Sequence, residues 1–223
     1  VSDLFFGTDY HSHLGTMRGG LAVLNGGGFT RFIHDITNSQ FRSKFDDYGG
    51  KMAGKCGIGV ISDCEDQPIL IGSHLGTYAI ATVGVIQNTE ELLKEAFKKR
   101  STHFSEMARN EVNPTELVAT LINLEDSFAA GIERAQESIE GSCSILILSS
   151  DGIYAARDKY GRTPIIIGRK RTGGLAATSE TCAFPNLDYD IERYLGPGEI
   201  ALLTQDGYEV LKPAGTKLQI CAF

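Results

Sequence analysis

The chain has 223 residues, 42% of them hydrophobic and 22% charged, enough to build a sizeable core as one or two folding units. A net charge of -7 favours solubility and weighs against broad nucleic-acid binding, and no apolar run is long enough to cross a bilayer. The opening Val1-Ser2-Asp3 lacks the basic start and long apolar stretch of a secretory signal.

In chain order, residues 21–24 read as a short strand, closed by a turn at Asn25-Gly26-Gly27-Gly28. Residues 56–62 alternate small and apolar side chains in the manner of a buried strand. Residues 69–73 and 78–83 form a hairpin about His74-Leu75-Gly76-Thr77. Helices follow. Asn88-Thr89-Glu90-Glu91 starts the first, with Leu92, Leu93, Ala96 and Phe97 at helical spacing. Asn113-Pro114-Thr115-Glu116 starts the second, whose stripe is Leu117, Val118, Leu121 and Ile122. A third is expected over 124–138, with Phe128, Ile132 and Ala135 facing inward. Strands return at 143–148, 152–157, 165–168, 174–179 and 199–204, with Asp151-Gly152 and Asp206-Gly207 as turns. Strands, helices, then strands again imply an α+β layout of two sheets with helices outside. No Pro/Ser-rich linker interrupts the chain, so residues 1–223 are expected to form a single domain.

Other features point to little chemistry. Cys56, Cys64, Cys143, Cys182 and Cys221 are odd in number and form no CxxC pair, which suggests neither a zinc site nor a disulfide framework. Buried thiols in a reducing cytoplasm are the simplest reading. The basic runs Lys98-Lys99-Arg100 and Arg169-Lys170-Arg171 fit solvated helix and hairpin ends better than phosphate sites. Asp9, His11 and His13 contain a His-x-His pair, a metal-binding spacing, while His34, His74 and His103 stand alone. Arg18-Gly19-Gly20 would either present N–H groups to an anion or let the chain bend closely over a sheet, and the bend is favoured. Ser-His-Leu-Gly-Thr occurs at both 12–16 and 73–77, too short an echo for a repeat architecture. Neither a metal nor a cofactor is expected.

A set of motifs resembles the amidophosphoribosyltransferase family. It begins with Leu4-Phe5-Phe6-Gly7, His13, Gly15, Gly20 and Ala22-Val23. Gly57-Ile58-Gly59, Gln67-Pro68, Gly84 and the stretch 88–92 continue it. It then runs through Arg157-Asp158-Lys159-Tyr160-Gly161, Pro164, Gly168, Ser179-Glu180-Thr181-Cys182-Ala183 and Gly196-Pro197-Gly198-Glu199. Each is weak alone; their collinearity over nearly the whole chain is specific. The resemblance implies a four-layer αββα N-terminal-nucleophile hydrolase sandwich, with His13 a structural histidine. It also implies class II glutamine amidotransferase chemistry. An N-terminal cysteine attacks the glutamine side-chain amide, and its own α-amine, with an ordinary pKa of roughly 7.7–8.0, acts as base. An Asn side chain and a Gly N–H hold the oxyanion, and an Arg and an Asp clamp the substrate's carboxylate and amine. Ammonia then passes to a C-terminal phosphoribosyltransferase domain, which would begin just after Cys221-Ala222-Phe223.

Against that pattern the chain departs at the glutamine site. Val1 stands where no cysteine is present, and the family's strand and turn of about ten residues before Leu4 are missing. Cys56-Gly57-Ile58 mimics the family's opening, yet collinearity assigns it to a later strand. Ser62 replaces the carboxylate-gripping arginine, and a hydroxyl is no two-pronged cation. Thr82-Val83-Gly84 stands for His-Asn-Gly, so Gly84 keeps the oxyanion position while Val83 loses the side-chain donor. Pro114 falls at the acidic clamp, Leu14 replaces the arginine of His-Arg-Gly, and Asp63 brings a carboxylate beside the altered pocket.

Ser62, Asp63, Thr82, Val83 and Gly84 are therefore the expected pocket, with Asp63 expected as a buried carboxylate there. No residue of 1–223 is expected to be the nucleophile. Three readings stay open: an amidotransferase half in purine biosynthesis or a side branch, a related hydrolase acting on another small-molecule amide, or a degenerate domain that binds a metabolite or regulates a partner. A cytoplasmic protein, with no nucleic-acid or membrane partner and a homo-oligomer compatible, fits all three.

Overall fold

The computed structural model describes residues 1–26, 28–45, 52–98, 107–108 and 111–220. Gly27, Lys99, Arg100, His103 and the Cys221-Ala222-Phe223 end lie outside the described residues. In chain order the helices are α1 (Ser2–Tyr10), α2 (Phe41–Phe45), α3 (Thr89–Lys98), α4 (Pro114–Ile122) and α5 (Phe128–Ser138). The strands begin with β1 (Arg18–Asn25), β2 (Gly28–Asp35), β3 (Cys56–Ser62), β4 (Ile69–Ser73) and β5 (Gly76–Ile86). After the short pair β6 (Met107–Ala108) and β7 (Glu111–Val112) come β8 (Gly141–Ser149), β9 (Gly152–Ala156) and β10 (Ile166–Lys170). The last are β11 (Leu175–Thr178), β12 (Tyr189–Tyr194), β13 (Ile200–Leu203) and β14 (Tyr208–Lys212).

These strands make one six-stranded sheet, β14-β13-β9-β8-β5-β4, and two three-stranded sheets, β2-β1-β3 and β11-β10-β12. Hydrophobic clusters fix the layering. Leu117, Val118, Leu121 and Ile122 of α4 pack with Ile132 and Ala135 of α5 against Tyr78, Ile80, Ile145 and Ile147 on the outer face of the large sheet. Its inner face meets the small sheets through Ala22, Ile58, Val60, Ala79, Ala81 and Leu148 on one side. Ala155, Ile165, Ile167, Leu195 and Ala201 do the same on the other. Leu21, Val23, Phe41 and Phe45 then cover the far face of β1, joined by Leu4 and Phe5 of α1. Helices, sheet, sheet and helices are the αββα order the sequence implied.

Local chemistry explains the element ends. Asn113 caps α4 through Oδ1, which accepts from Thr115 N at 2.9 Å and Glu116 N at 3.4 Å, with Pro114 in the first turn. The helix expected over 124–138 starts only at Phe128, because Ser127 caps it, its Oγ accepting from Ala130 N at 3.3 Å. Residues 124 and 125 instead close short turns back onto Leu121 and Ile122. Sequence reading missed α1, α2, β2, the short pair β6 and β7, β12 and β14. Strand β2 is half-buried along almost its whole length, so it lacks the alternation by which strands are recognised.

Glycines set how closely the layers approach. On β3, Ile58 and Val60 face the inter-sheet core, while Gly57 and Gly59 face α1, where a Cβ would come within 2.5 Å of Leu4 Cδ2 and 2.0 Å of Thr8 Oγ1. Gly20 is tighter: a Cβ there would lie 1.7 Å from the carbonyl oxygen of Gln67. The Arg18-Gly19-Gly20 run thus serves close packing, with Gly19 beneath the Phe41 ring and Arg18 bridging Asp35 and Asp66 at 2.6 and 3.0 Å. Because the atom over Gly20 is backbone, it cannot swing away. Gly20→Ala should cost about 3 kcal/mol, and Gly72→Ala, which meets open space, about 0.5 kcal/mol or less. Equal urea midpoints for the two variants would refute this account.

Candidate functional site

A groove of about 1040 Å³ runs between the two small sheets, over the inner face of the large one. One wall is β3, from Cys56 to Ile61; the other is β11, from Leu175 to Thr178. Ala81, Val83, Ser144 and Leu146 form part of the floor. Val1, Leu4 and Thr8 border it at the α1 side. Strand β3 pairs only with β1, and β11 only with β10, among the described residues. Two strand edges with unspent hydrogen-bonding groups therefore face one apolar trough.

Strand β5 brings three of the expected pocket residues to this place, and alternation sends them different ways. Val83 points into the groove and is 46% exposed. Thr82 points to the other face and is buried, its Oγ1 lying 2.6 Å from Thr115 Oγ1 at the start of α4. Gly84 follows with φ +151°, a conformation suited to glycine, and a Cβ there would meet the Ser142 carbonyl at 1.9 Å.

Thr82 is held in an unusual way. β4 pairs with β5 only from Ser73↔Gly76 to Ile69↔Ile80. Continuing that register would set residue 67 opposite residue 82, but the Gln67 backbone has turned away towards Gly20. Its side chain takes the vacant place: Thr82 N donates to Gln67 Oε1 at 2.7 Å, and Gln67 Nε2 donates to the Thr82 carbonyl at 3.2 Å. One amide side chain thus continues the antiparallel ladder by a residue pair. By the two-residue period of such ladders, the Gly84 N–H lies on the same edge as that of Thr82, the edge β4 has left.

Behind the clamp stands Glu65, whose Oε1 accepts from Gln67 Nε2 at 2.9 Å and Thr115 Oγ1 at 3.0 Å. Glu65, Gln67, Thr82 and Thr115 are all buried, so this is a closed polar network. Burial pushes the Glu65 carboxyl above the ordinary glutamate value, opposed by the hydrogen bonds from Thr115 and Gln67. The sequence offered Gln67 and Thr115 only as parts of motifs, and nothing in it marked Glu65, since a lone acidic residue in an Asp-Cys-Glu-Asp run reads as solvated.

The remaining expected residues lie at the end of β3. Ser62 Oγ accepts from Cys64 N and Glu65 N, both at 3.3 Å, and so closes a turn. Asp63 departs from expectation: it is exposed, and Oδ1 accepts from Thr16 N at 2.6 Å and Met17 N at 3.1 Å. Its carboxylate satisfies backbone donors at the rim and is not a buried acid in the pocket. His13 Nε2 lies 2.9 Å from Glu180 Oε2, and His11 Nδ1 donates to the Gly7 carbonyl at 2.7 Å when protonated there. Among the described residues, no cluster of three metal-ligating side chains forms.

The loudest sequence motifs turn out to be clasps. Asp158 is buried, with Oδ1 accepting from Tyr160 N at 3.0 Å and Oδ2 from Thr163 N at 2.8 Å, while its carbonyl takes Gly161 N and Gly198 N. Arg157 donates to the carbonyls of Leu195 and Gly161, and Glu199 Oε2 accepts from Gly196 N. Arg-Asp-Lys-Tyr-Gly and Gly-Pro-Gly-Glu thus lock onto each other beneath β10.

Comparison with known proteins fits this geometry. A family model described as a glutamine amidotransferase domain matches residues 56–186. The chain belongs to that family. The domain is 31% identical over 157 residues to an amidophosphoribosyltransferase of Methanocaldococcus jannaschii, covering 70% of this chain and 31% of that protein. It is 30% identical over 143 residues to the chloroplastic amidophosphoribosyltransferase 1 of Arabidopsis thaliana, covering 63% of this chain and 24% of that protein. The chain thus spans about a quarter to a third of the length of these relatives. In three dimensions it superposes, at a TM-score of 0.84 and 22% identity, on glutamine phosphoribosylpyrophosphate amidotransferase from B. subtilis complexed with ADP and GMP, covering 99% of this chain and 48% of that one. That likeness establishes the N-terminal-nucleophile fold. No helix among the described residues is long and apolar enough to cross a membrane.

Neither Cys143 nor Cys182 has an activated environment of the kind nucleophiles need. Cys143 is fully enclosed, and burial, with the charges of Asp158 and Glu65 adding to it, pushes its thiol up to about 12. Burial and then Glu180 also raise Cys182, whose Sγ sits 4.0 Å from His11 Nε2. A thiol near 12 carries about 10³-fold less thiolate at pH 8 than an ordinary one. Alkylation at pH 8 should therefore modify exposed Cys64 quickly and leave Cys143 untouched until the protein unfolds. Peptide mapping that finds both labelled at similar rates would overturn this assignment.

Proposed function

We propose that residues 1–223 act as a single amide-hydrolysing domain of an amidophosphoribosyltransferase-related protein, with the nucleophile supplied by a cysteine on an extended segment joined to Val1. The observation that carries the reading is the groove. Its two facing strand edges, β3 and β11, offer backbone partners to one intervening strand, and Val1 lies on its border. A strand there would unite the small sheets as β2-β1-β3-strand-β11-β10-β12. It would also carry its start along the floor towards Val83.

In this reading the cysteine α-amine takes the thiol proton, and the thiolate attacks the amide carbon while the Gly84 N–H donates a hydrogen bond to the developing oxyanion. The proton passes to the amide nitrogen as the C–N bond breaks, releasing ammonia and leaving a thioester. Water then hydrolyses the thioester to a carboxylate. A C-terminal phosphoribosyltransferase domain would consume the ammonia, which places the protein in purine biosynthesis or a side branch of it.

The pocket for the substrate's polar end is rewritten. Ser62 spends its hydroxyl on its own turn, and Val83 offers a methyl surface where an amide donor would be needed. Those two facts favour a second reading beside free glutamine: a less charged amide substrate handled by the same machinery.

The test uses the protein expressed from its complete reading frame. Ammonia release should depend on an upstream cysteine, and residues 1–223 alone should release none at enzymatic rates of about 1 s⁻¹. Ser62→Arg with Val83→Asn should raise turnover of glutamine by about 10-fold or more, restoring the missing clamp and donor. A panel of neutral primary amides should outperform glutamine in the unmodified protein if the second reading holds. Ammonia release that survives loss of every upstream cysteine would sink the proposal, and inertness of both proteins towards all amides would leave a binding domain.

A further inference from the structure

We propose that Glu65 is the positioning residue of the oxyanion segment, acting through the Gln67 amide and the Thr115 hydroxyl on the backbone of Thr82 and hence on Val83 and Gly84. This rests on the reading in which the Gly84 N–H faces the reacting carbonyl.

The argument is one of degrees of freedom. Beyond Ile80, β5 has a strand neighbour on the β8 side only, among the described residues. On the open edge the Gln67 side chain is what fixes it, by two hydrogen bonds to one residue. A glutamine side chain is a flexible tether unless its own amide is held. Glu65 holds it: Nε2 divides its two protons between the Thr82 carbonyl and Glu65 Oε1, which fixes the amide plane and its O/N orientation. Thr115 closes the loop, since its hydroxyl donates to Glu65 at 3.0 Å and lies 2.6 Å from that of Thr82. That in turn ties the strand to the capped first turn of α4. Both strand backbone and helix start are thereby registered to one carboxylate oxygen, two residues from the oxyanion position.

The ionised form of Glu65 is the one that suits two converging donors. Burial opposes it, and no cation among the described residues contributes to its ionisation balance. Cys143 on β8 feels its charge, as it feels that of Asp158 after β9; Glu116 follows Thr115 on α4, and Asp63, Cys64 and Asp66 share its own loop. Cys143 stays neutral near pH 7, as its thiol is pushed up to about 12. Protonating Glu65 weakens the bonds from Gln67 and Thr115 and loosens the clamp. The site should then tighten as the pH rises through a value above the ordinary 4.5 of glutamate.

The experiment follows the backbone amide signals of Thr82, Val83 and Gly84 by NMR against pH, in the 223-residue chain and in Glu65→Gln, which keeps an acceptor but cannot ionise. The three signals should titrate together above pH 4.5 in the unmodified chain, stay flat in Glu65→Gln, and titrate normally in the exposed-carboxylate control Asp66→Asn. In the protein from the complete reading frame, Gln67→Met should lower kcat about 10²-fold with KM nearly unchanged, and Glu65→Gln should flatten the acid limb of the kcat profile and lower its plateau towards the low-pH value of the unmodified protein. If Glu65→Gln does not fold, Thr115→Val, which removes one of the two donors, should move the same titration upward. Amides that do not titrate, or titrate unchanged in Glu65→Gln, would overturn the proposal, as would an unaltered kcat in Gln67→Met. Coupled titration in a protein that hydrolyses no amide would leave the positioning intact and refute the amidotransferase reading instead.

Discussion

Gln67 is where the two halves of the sandwich are tied together. Its carbonyl oxygen lies on Gly20 of the small sheet, so close that a single methyl group there would collide with it. Its side chain completes the ladder of the large sheet opposite Thr82. One residue therefore fixes the spacing of the layers through its backbone and the course of β5 through its amide. Sheets packed face to face usually keep their separation by interdigitated side chains. Here a backbone contact adds a hard stop, and its Gln67 also bonds β5 at Thr82, next to Val83 and Gly84. Gly20, Gln67 and Gly84 belong to one mechanical unit although they are dispersed along the chain.

From this constraint the asymmetry of the fold follows. The large sheet is continuous from β14 to β4, braced by α4 and α5 on one face. The opposing layer is two separate three-stranded sheets with a trough between their free edges. Each small sheet has its own anchor. Glycines on β3 let α1 sit down on it, and the Arg157–Asp158 clasp joins the loop before β10 to the loop after β12. The trough is therefore bounded by rigid walls, and a chain segment entering it would meet preformed backbone partners with little reorganisation.

Much of this was legible in the sequence, and the legible parts share a cause. Strands β3 and β4 and the stripe of α4 carry strong local signals, because one face is apolar and the other is small or polar. The αββα order came from motif collinearity, and those motifs proved to be backbone clasps and close-approach glycines, which is why they tolerate few substitutions physically. Elements such as β2 and β12 were invisible because they are edge or half-buried strands without alternation. Ser62, Thr82, Val83 and Gly84 could be named as positions, yet the direction of a side chain depends on strand phase: Val83 inward, Thr82 outward to α4. Asp63 could be misread because a carboxylate beside a pocket and a carboxylate binding two backbone amides at the rim have the same sequence appearance.

Glu65 shows why site chemistry is harder to read than fold. A carboxyl whose folded value is raised above 4.5 contributes stability only while protonated; that contribution is lost as the pH climbs from 4.5 through the folded value. At neutral pH the buried carboxylate is therefore a cost to the fold, offset in part by the donors from Thr115 and Gln67. A neutral glutamine in its place would fill the same volume with less desolvation. Stability alone gives no reason for an acid here. What the acid supplies is direction: an ionised oxygen accepts from both donors at once and never donates, so it forces Gln67 to present Oε1 to the Thr82 N–H and not the reverse. The orientation of one amide decides whether β5 is paired or left loose at its open edge. The network therefore spends fold stability on the placement of Val83, on the floor of the groove, and of Gly84 next to it.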